Sequence, residues 1–195
     1  MQPAPSNLIV ILLVVVALGA LAACGGESAA ESEPEPSAPR PLRRAPPFAL
    51  ESLEGESLTL AGLEKDHRAI LMNFWASWCE PCKVEVPDLI ALHEEYRDRG
   101  FTVLGVTVSD LPRDSRAFVK EMRMTYPSVI GTPAMLEDYR LSPWLPTTLL
   151  VVDGQVVGEW VGPRVRADFE YPIKAALGLA PPLDVMLKDA SGAGE

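Results

Sequence analysis

The chain predicts an α/β fold in which helices pack on a sheet, and three observations lead there. From Phe48 onward, short β-prone stretches alternate with helical patterns, the rhythm of helices laid over strands. "AILMNFWA" at residues 69–76 is a nearly continuous apolar run, as a central strand covered on both faces requires. "TTLLVVDGQVVGEWVG" at residues 147–162 holds two β-prone runs around Asp153 and Gly154, a strong hairpin signal.

The chain has 195 residues, 48% of them hydrophobic, which fits one compact domain plus extensions. A formal net charge of -10 excludes a nucleic-acid partner, because phosphate binding needs a basic face. The apolar run "LIVILLVVVALGALAA" from Leu8 to Ala23 has sixteen residues, short of the roughly 20 that cross a bilayer. Residues 1–23 therefore read as a signal peptide. Their end with the next residue, "LAAC" at Leu21 to Cys24, resembles the lipobox of bacterial lipoproteins, which implies lipidation of Cys24 and a membrane anchor. An ordinary secretory signal and an uncleaved anchor helix are the alternatives, and "MQPAPSN" departs from the lipoprotein pattern in having no Lys or Arg. All three readings put the rest of the chain outside the cytoplasm, where disulfides persist.

Residues 24–46 hold the Pro- and Glu-rich stretch "GGESAAESEPEPSAPRPLRRAP", too poor in apolar side chains to build a core, and are expected to form a disordered tether. Arg40, Arg43 and Arg44 read there as solvated charge. The domain is expected over residues 47–177. "FALESLEGESLTL" reads as a hairpin turning at Gly55, followed by the strand at 69–76. "EPCKVEVPDLIALHEEYRDRG" has apolar residues near helical spacing and a stop at Gly100, with Pro87 expected to kink the helix. "FTVLGVTVS" is the next strand and "RDSRAFVKEMRM" the next helix. The 147–162 hairpin and a last helix, "RADFEYPIKAAL", interrupted by Pro172, complete the order βα, βα, ββα. Residues 178–195 read as a loose tail.

The chemistry centres on "FWASWCEPCKVEVP" at residues 74–87. With Cys79 just ahead of the helix, unpaired backbone donors and the positive dipole end favour its thiolate, lowering the thiol pKa from about 8.5 into the range of roughly 3.5 to 7.5. Pro81 suits the first turn, where its missing donor costs little. Cys82, one turn along, is the resolving thiol. A purely structural bridge would usually close a longer loop. A zinc site lacks ligands, since the third cysteine is Cys24 and His67 and His93 have no partner spacing. His93 reads as a surface or boundary residue and His67 as part of a polar turn.

"NFWASWCEPCKVEVP" together with "LPTTLLVVDGQVV" at residues 145–157 resembles the thioredoxin superfamily, and within it the membrane-tethered TlpA, ResA and DsbE branch of thiol:disulfide oxidoreductases. The match spans about residues 47 to 177. It implies a thioredoxin-like fold with a central mixed β-sheet flanked by helices and an additional N-terminal β-hairpin, for which Phe48 to Leu60 has the pattern. It also implies that Cys79 attacks and Cys82 resolves, and that the Leu145-Pro146 bond is cis. Pro146 would then face the cysteine pair, and the adjoining backbone, with Thr147, would line the substrate edge. Trp78 would be an exposed aromatic wall. Glu80 inside the pair opposes the thiolate while suiting the helix start, and Lys83 adds a cation nearby. Glu85 matches the branch's Glu-x-Pro glutamate, and Asp110 falls where ResA-like proteins carry an acidic residue near the disulfide. Trp144 in "SPWLPTT" departs from the branch and bears on substrate choice.

The resemblance thus implies an extracytoplasmic oxidoreductase that uses the cysteine pair as its redox centre, with no other cofactor and no metal. Its partners would be proteins presenting disulfides or dithiols, as in cytochrome c maturation, and a membrane protein supplying electrons. A net oxidant or isomerase is the alternative within the same chemistry. A peroxiredoxin-like antioxidant would want a Thr-x-x-Cys site, which "ASWCEPC" does not offer. A copper-delivery module would want CxxxC and a distal histidine.

Overall fold

The computed structural model describes residues 43–182. Six strands form one mixed sheet in the order β1-β8-β7-β4-β5-β6: β1 (Arg43–Arg44), β8 (Gln155–Val161), β7 (Thr147–Val152), β4 (Ala69–Trp75), β5 (Phe101–Thr107) and β6 (Ser128–Ile130). The β4, β5 and β6 strands are parallel, while β7, β8 and β1 continue from β4 in antiparallel pairs. A separate hairpin, β2 (Ala49–Glu51) with β3 (Ser57–Thr59), lies between β1 and β4 in the chain. This is the thioredoxin-like architecture the sequence predicts, including the added N-terminal hairpin.

The apolar run at the centre explains the layering. Every residue of β4 is buried, and alternate side chains go to opposite faces. Ala69 and Leu71 pack with Leu89, Leu92, Phe101, Phe169 and Ile173, beneath α2 (Glu80–Tyr96) and α5 (Arg166–Ala176). Ile70, Met72 and Phe74 face Leu50, Leu63, Met135 and Tyr139, from the hairpin, α1 (Leu60–Asp66) and α4 (Pro133–Asp138). The remaining α-helix described, α3 (Pro112–Met122), brings Phe118 against Trp75 beside the cysteines. The β7–β8 turn has Asp153 and Gly154 at φ 47° and 75°, the positive pair that a two-residue hairpin needs. Gly100 ends the α2 segment at φ 82°.

Several expectations need correction. The domain includes residues before 47: Arg43 and Arg44 pair with Val156 and Gln155, and Ala45 N–H donates to Gly154 O at 2.9 Å. Arg43 is not solvated charge, since its guanidinium donates to Tyr139 O and lies over the Tyr139 ring. Pro172 does not interrupt α5, which runs from Arg166 to Ala176 and keeps Phe169 and Ile173 buried; α2 likewise continues through Pro87. His93 is buried rather than a boundary residue, its ring edge-on to Tyr126 and its Nδ1 accepting from Val103 N–H. Burial lowers its pKa. Elements the sequence reading passed over are β1, α1, β6 and α4. Cys24, the signal segment and residues 183–195 lie outside the described residues.

Candidate active site

The site forms where β4 ends and α2 begins. Cys79 is the N-cap of α2 in extended conformation, and its Sγ accepts from Cys82 N–H at 3.3 Å. Pro81 lies in the first turn, where no intrahelical donor is lost. Cys79 and Cys82 are joined in a disulfide with S–S 2.04 Å, and both residues are buried. Below them, Trp75 stacks on Phe118 at 4.7 Å between ring centres and closes the floor.

Asp110 fixes the loop ahead of the pair. Its Oδ2 accepts from Ser77 N–H at 2.8 Å and from Ser115 Oγ at 3.0 Å, and its Oδ1 accepts from Ser77 Oγ and from its neighbour Leu111 N–H at 3.0 Å each. The acidic residue therefore clamps the β4–α2 loop to the β5–α3 loop. Trp78 is held from the same side, its Nε1 donating to Ser109 O at 3.1 Å, while the indole stands largely exposed.

Glu80 is exposed and accepts from Lys83 Nζ at 2.7 Å. That bond raises the Lys83 pKa. The lysine thus answers the one acidic charge inside the pair.

Glu85 sits in the second turn of α2 on its inward face and is only 1% exposed. Asn73 Nδ2 donates to its Oε2 at 2.8 Å, and Arg164 N–H donates to its Oε1 at 3.1 Å. Burial outweighs these bonds and pushes the carboxyl up to about 7. Asn73 also donates to Thr148 Oγ1 at 2.9 Å, so the polar chain crosses from helix to sheet. Asn73 and Thr148 were not singled out from the sequence. The signal was present: Asn73 is the one polar residue in "AILMNFW", and a buried amide needs partners.

Across from the cysteines, the Leu145-Pro146 peptide is cis. Pro146 O accepts from Gly162 N–H at 2.8 Å, which ties this loop to the end of β8. Leu145 shares with Trp78, Cys79, Glu80 and Pro81 the lining of a groove of about 470 Å³. Thr147 does not line that edge with its side chain. It is fully buried, and its hydroxyl donates to Trp144 O at 2.7 Å.

The AhpC/TSA family pattern matches residues 41–159, well over half of the chain. The chain belongs to the AhpC/TSA family. Within it, the chain is similar to the thiol-disulfide oxidoreductase ResA of Bacillus cereus (strain ZK / E33L), with 30% identity over 131 residues covering 66% of this chain and 73% of ResA. Two solved structures from Chlorobium tepidum have the same fold. A thioredoxin-family thiol:disulfide interchange protein has TM-score 0.64 and 30% identity, and a protein assigned as DsbE has TM-score 0.65 and 26% identity. Each alignment covers 72% of this chain and 99% of the other. This AhpC/TSA member is a thioredoxin-like thiol-disulfide oxidoreductase whose redox centre is the Cys79–Cys82 pair.

Proposed function

We propose that the protein reduces disulfides in partner proteins outside the cytoplasm, tethered to a bacterial membrane through a lipid on Cys24. The observation that carries the catalytic part is Cys79 at the N-cap of α2 with the Cys82 N–H aimed at its sulfur. Once the disulfide is opened, that donor and the helix dipole favour a thiolate at Cys79.

The dithiol form enters the cycle. Cys79 thiolate attacks one sulfur of a substrate disulfide, forming a mixed disulfide and releasing the substrate's other sulfur as a thiolate that takes a proton from water. Cys82, deprotonated in turn, attacks the Cys79 sulfur and expels the second substrate thiolate. Two electrons have passed to the substrate, and the Cys79–Cys82 disulfide remains. A membrane protein that relays electrons from inside the cell restores the dithiol. Trp78, Pro81, Leu145 and the backbone at Pro146 and Thr147 receive the substrate, whereas the Thr147 side chain holds the loop from within. Glu80 and Lys83 tune the thiolate as an ion pair. Asp110 acts by positioning the loop. Glu85, one turn beyond Cys82, keeps a titratable carboxyl on the buried face of the same helix. The resemblance to the TlpA, ResA and DsbE branch supports a place in cytochrome c maturation, and the signal-like N-terminus supports the location.

The reduction potential of the Cys79/Cys82 couple, read by thiol alkylation in glutathione and dithiothreitol buffers, tests the direction. A value near or below roughly -270 mV supports the reductant, and a value near about -120 mV makes the protein an oxidant and overturns the reading. Peroxide consumption tests the antioxidant alternative, against which Ala76 stands three residues before Cys79 where a peroxidatic site would want threonine.

A further inference from the structure

The two most exposed indoles in this region, Trp78 at 62% and Trp144 at 72% exposure, line the same groove as Cys79. Trp144 comes from the opposite wall, between Pro143 and the cis Leu145-Pro146 bond. Its backbone is held on both sides: its N–H donates to Ser142 Oγ at 3.3 Å, and its carbonyl accepts the Thr147 hydroxyl at 2.7 Å. The indole is therefore presented by an anchored segment, flanked by residues with fixed φ at Pro143 and Pro146. The rest of the wall is Pro81, Pro143 and Leu145, and the only carboxylate among the described lining residues, Glu80, is engaged by Lys83.

We infer that Trp144 is a specificity-determining residue: with Trp78 it forms a subsite for a large apolar side chain, aromatic or branched aliphatic, flanking the cysteine that Cys79 attacks. The inference rests on the proposed role of Cys79. A substrate sulfur must reach Cys79, so its neighbouring residues pass through the groove that contains it. Rigid indoles gain contact area there at little cost in side-chain entropy, which is why tryptophan dominates binding hot spots. An acidic flanking side chain would meet apolar walls beside Glu80 and be disfavoured.

The test uses the reduced full chain and disulfide-bonded peptides differing only at the residue before or after the cysteine: Phe, Leu, Ala, Asp or Arg. Single-turnover rates give the preference of each enzyme as a ratio. The Phe or Leu peptide should react at least tenfold faster than the Ala peptide in one of the two registers, with Asp slowest. Trp144→Ala should bring that ratio within about twofold of unity, and Trp144→Phe should restore most of it. An unchanged ratio in Trp144→Ala, or no preference in the parent, overturns the inference. So does a preference for Arg that depends on Trp144, which would make the groove a cation site. If the parent reduces none of these peptides and no small disulfide such as bis(2-hydroxyethyl) disulfide, the proposed function itself has failed.

Discussion

Asp110 Oδ2 lies 2.8 Å from Ser77 N and 3.0 Å from Ser115 Oγ, so one carboxylate ties the loop that carries Trp78 and Cys79 to the start of α3. Its second oxygen takes Ser77 Oγ and Leu111 N–H. Removing the carboxylate leaves two backbone donors and two hydroxyls without their acceptor, which costs about 1–3 kcal/mol. Asp110→Ala should lower stability by that order and speed amide hydrogen exchange at Ser77 and Trp78, measured by denaturant unfolding and exchange mass spectrometry. Unaltered exchange at those two amides would show that Asp110 does not hold the loop.

Glu85 makes the stability of the oxidised protein depend on pH with a definite sign. Its carboxyl titrates near 7 when folded, against 4.5 as a free group, because burial opposes the charge. Between those values the folded state binds more protons than the unfolded state, so stability is full below the unfolded value and falls as pH rises through 7. The shift corresponds to a loss of ~3 kcal/mol by pH 8. His93 works in the opposite direction, since burial keeps it neutral and stability falls as acid charges it. Comparing the parent with Glu85→Gln cancels the histidine contribution. The parent should lose stability relative to the variant between pH 4 and pH 8, and parallel pH curves for the two would refute the buried ionisation.

Much of this site could be read from residue order because each signal is local. The Asp153-Gly154 turn, the α2 start at Cys79 and the stop at Gly100 depend on backbone preferences within a few residues. The apolar run at 69–76 identified the central strand. What escaped depends on contacts distant in sequence. β6 is three residues long and acquires its identity from pairing with β5. β1 looks like tether until Arg43 meets Tyr139, 96 residues away. Thr147 shows the limit of pattern reasoning at the site: its place beside Pro146 was legible, but strand alternation turns its side chain inward, beneath the Trp144 carbonyl. Asp110 was found by position, and its partners became clear only when two loops were seen together. α4 had a local signal, Thr132 before Pro133, and Thr132 does cap it by accepting from Met135 N–H at 3.2 Å.

The proposed order of attack separates the two cysteines experimentally. Cys82→Ser, reduced and mixed with a peptide disulfide, should accumulate a covalent one-to-one adduct through Cys79, since the resolving sulfur is gone. Cys79→Ser should form no such adduct and reduce insulin no faster than buffer. Intact mass spectrometry with peptide mapping reads both. An adduct mapped to Cys82 in the Cys79→Ser protein, formed as fast as the other, would reverse the assignment.

Gly105 links the sheet to the floor of the redox pair. It lies on β5 between Asn73 of β4 and Ser128 of β6. A methyl group there would stand 2.5 Å from Ser128 Oγ and 2.9 Å from Trp75 Nε1. Both distances are far inside van der Waals contact, and neither neighbour is the free end of a flexible chain. Trp75 is fully buried and stacked on Phe118, so the clash is passed towards the cluster that holds Cys79 and Cys82. Overpacking of this kind costs about 1–3 kcal/mol. Gly105→Ala should therefore lower Tm by roughly 2–12 °C for a domain of this size, with a change in near-ultraviolet circular dichroism from the displaced indole. Adding Ser128→Ala removes the closest atom but not the Trp75 contact, so it should recover only part of the loss. Full recovery would show that the strand gives way at β6 and leaves Trp75 in place, and no loss in the single variant would show that the floor of the site has room to spare.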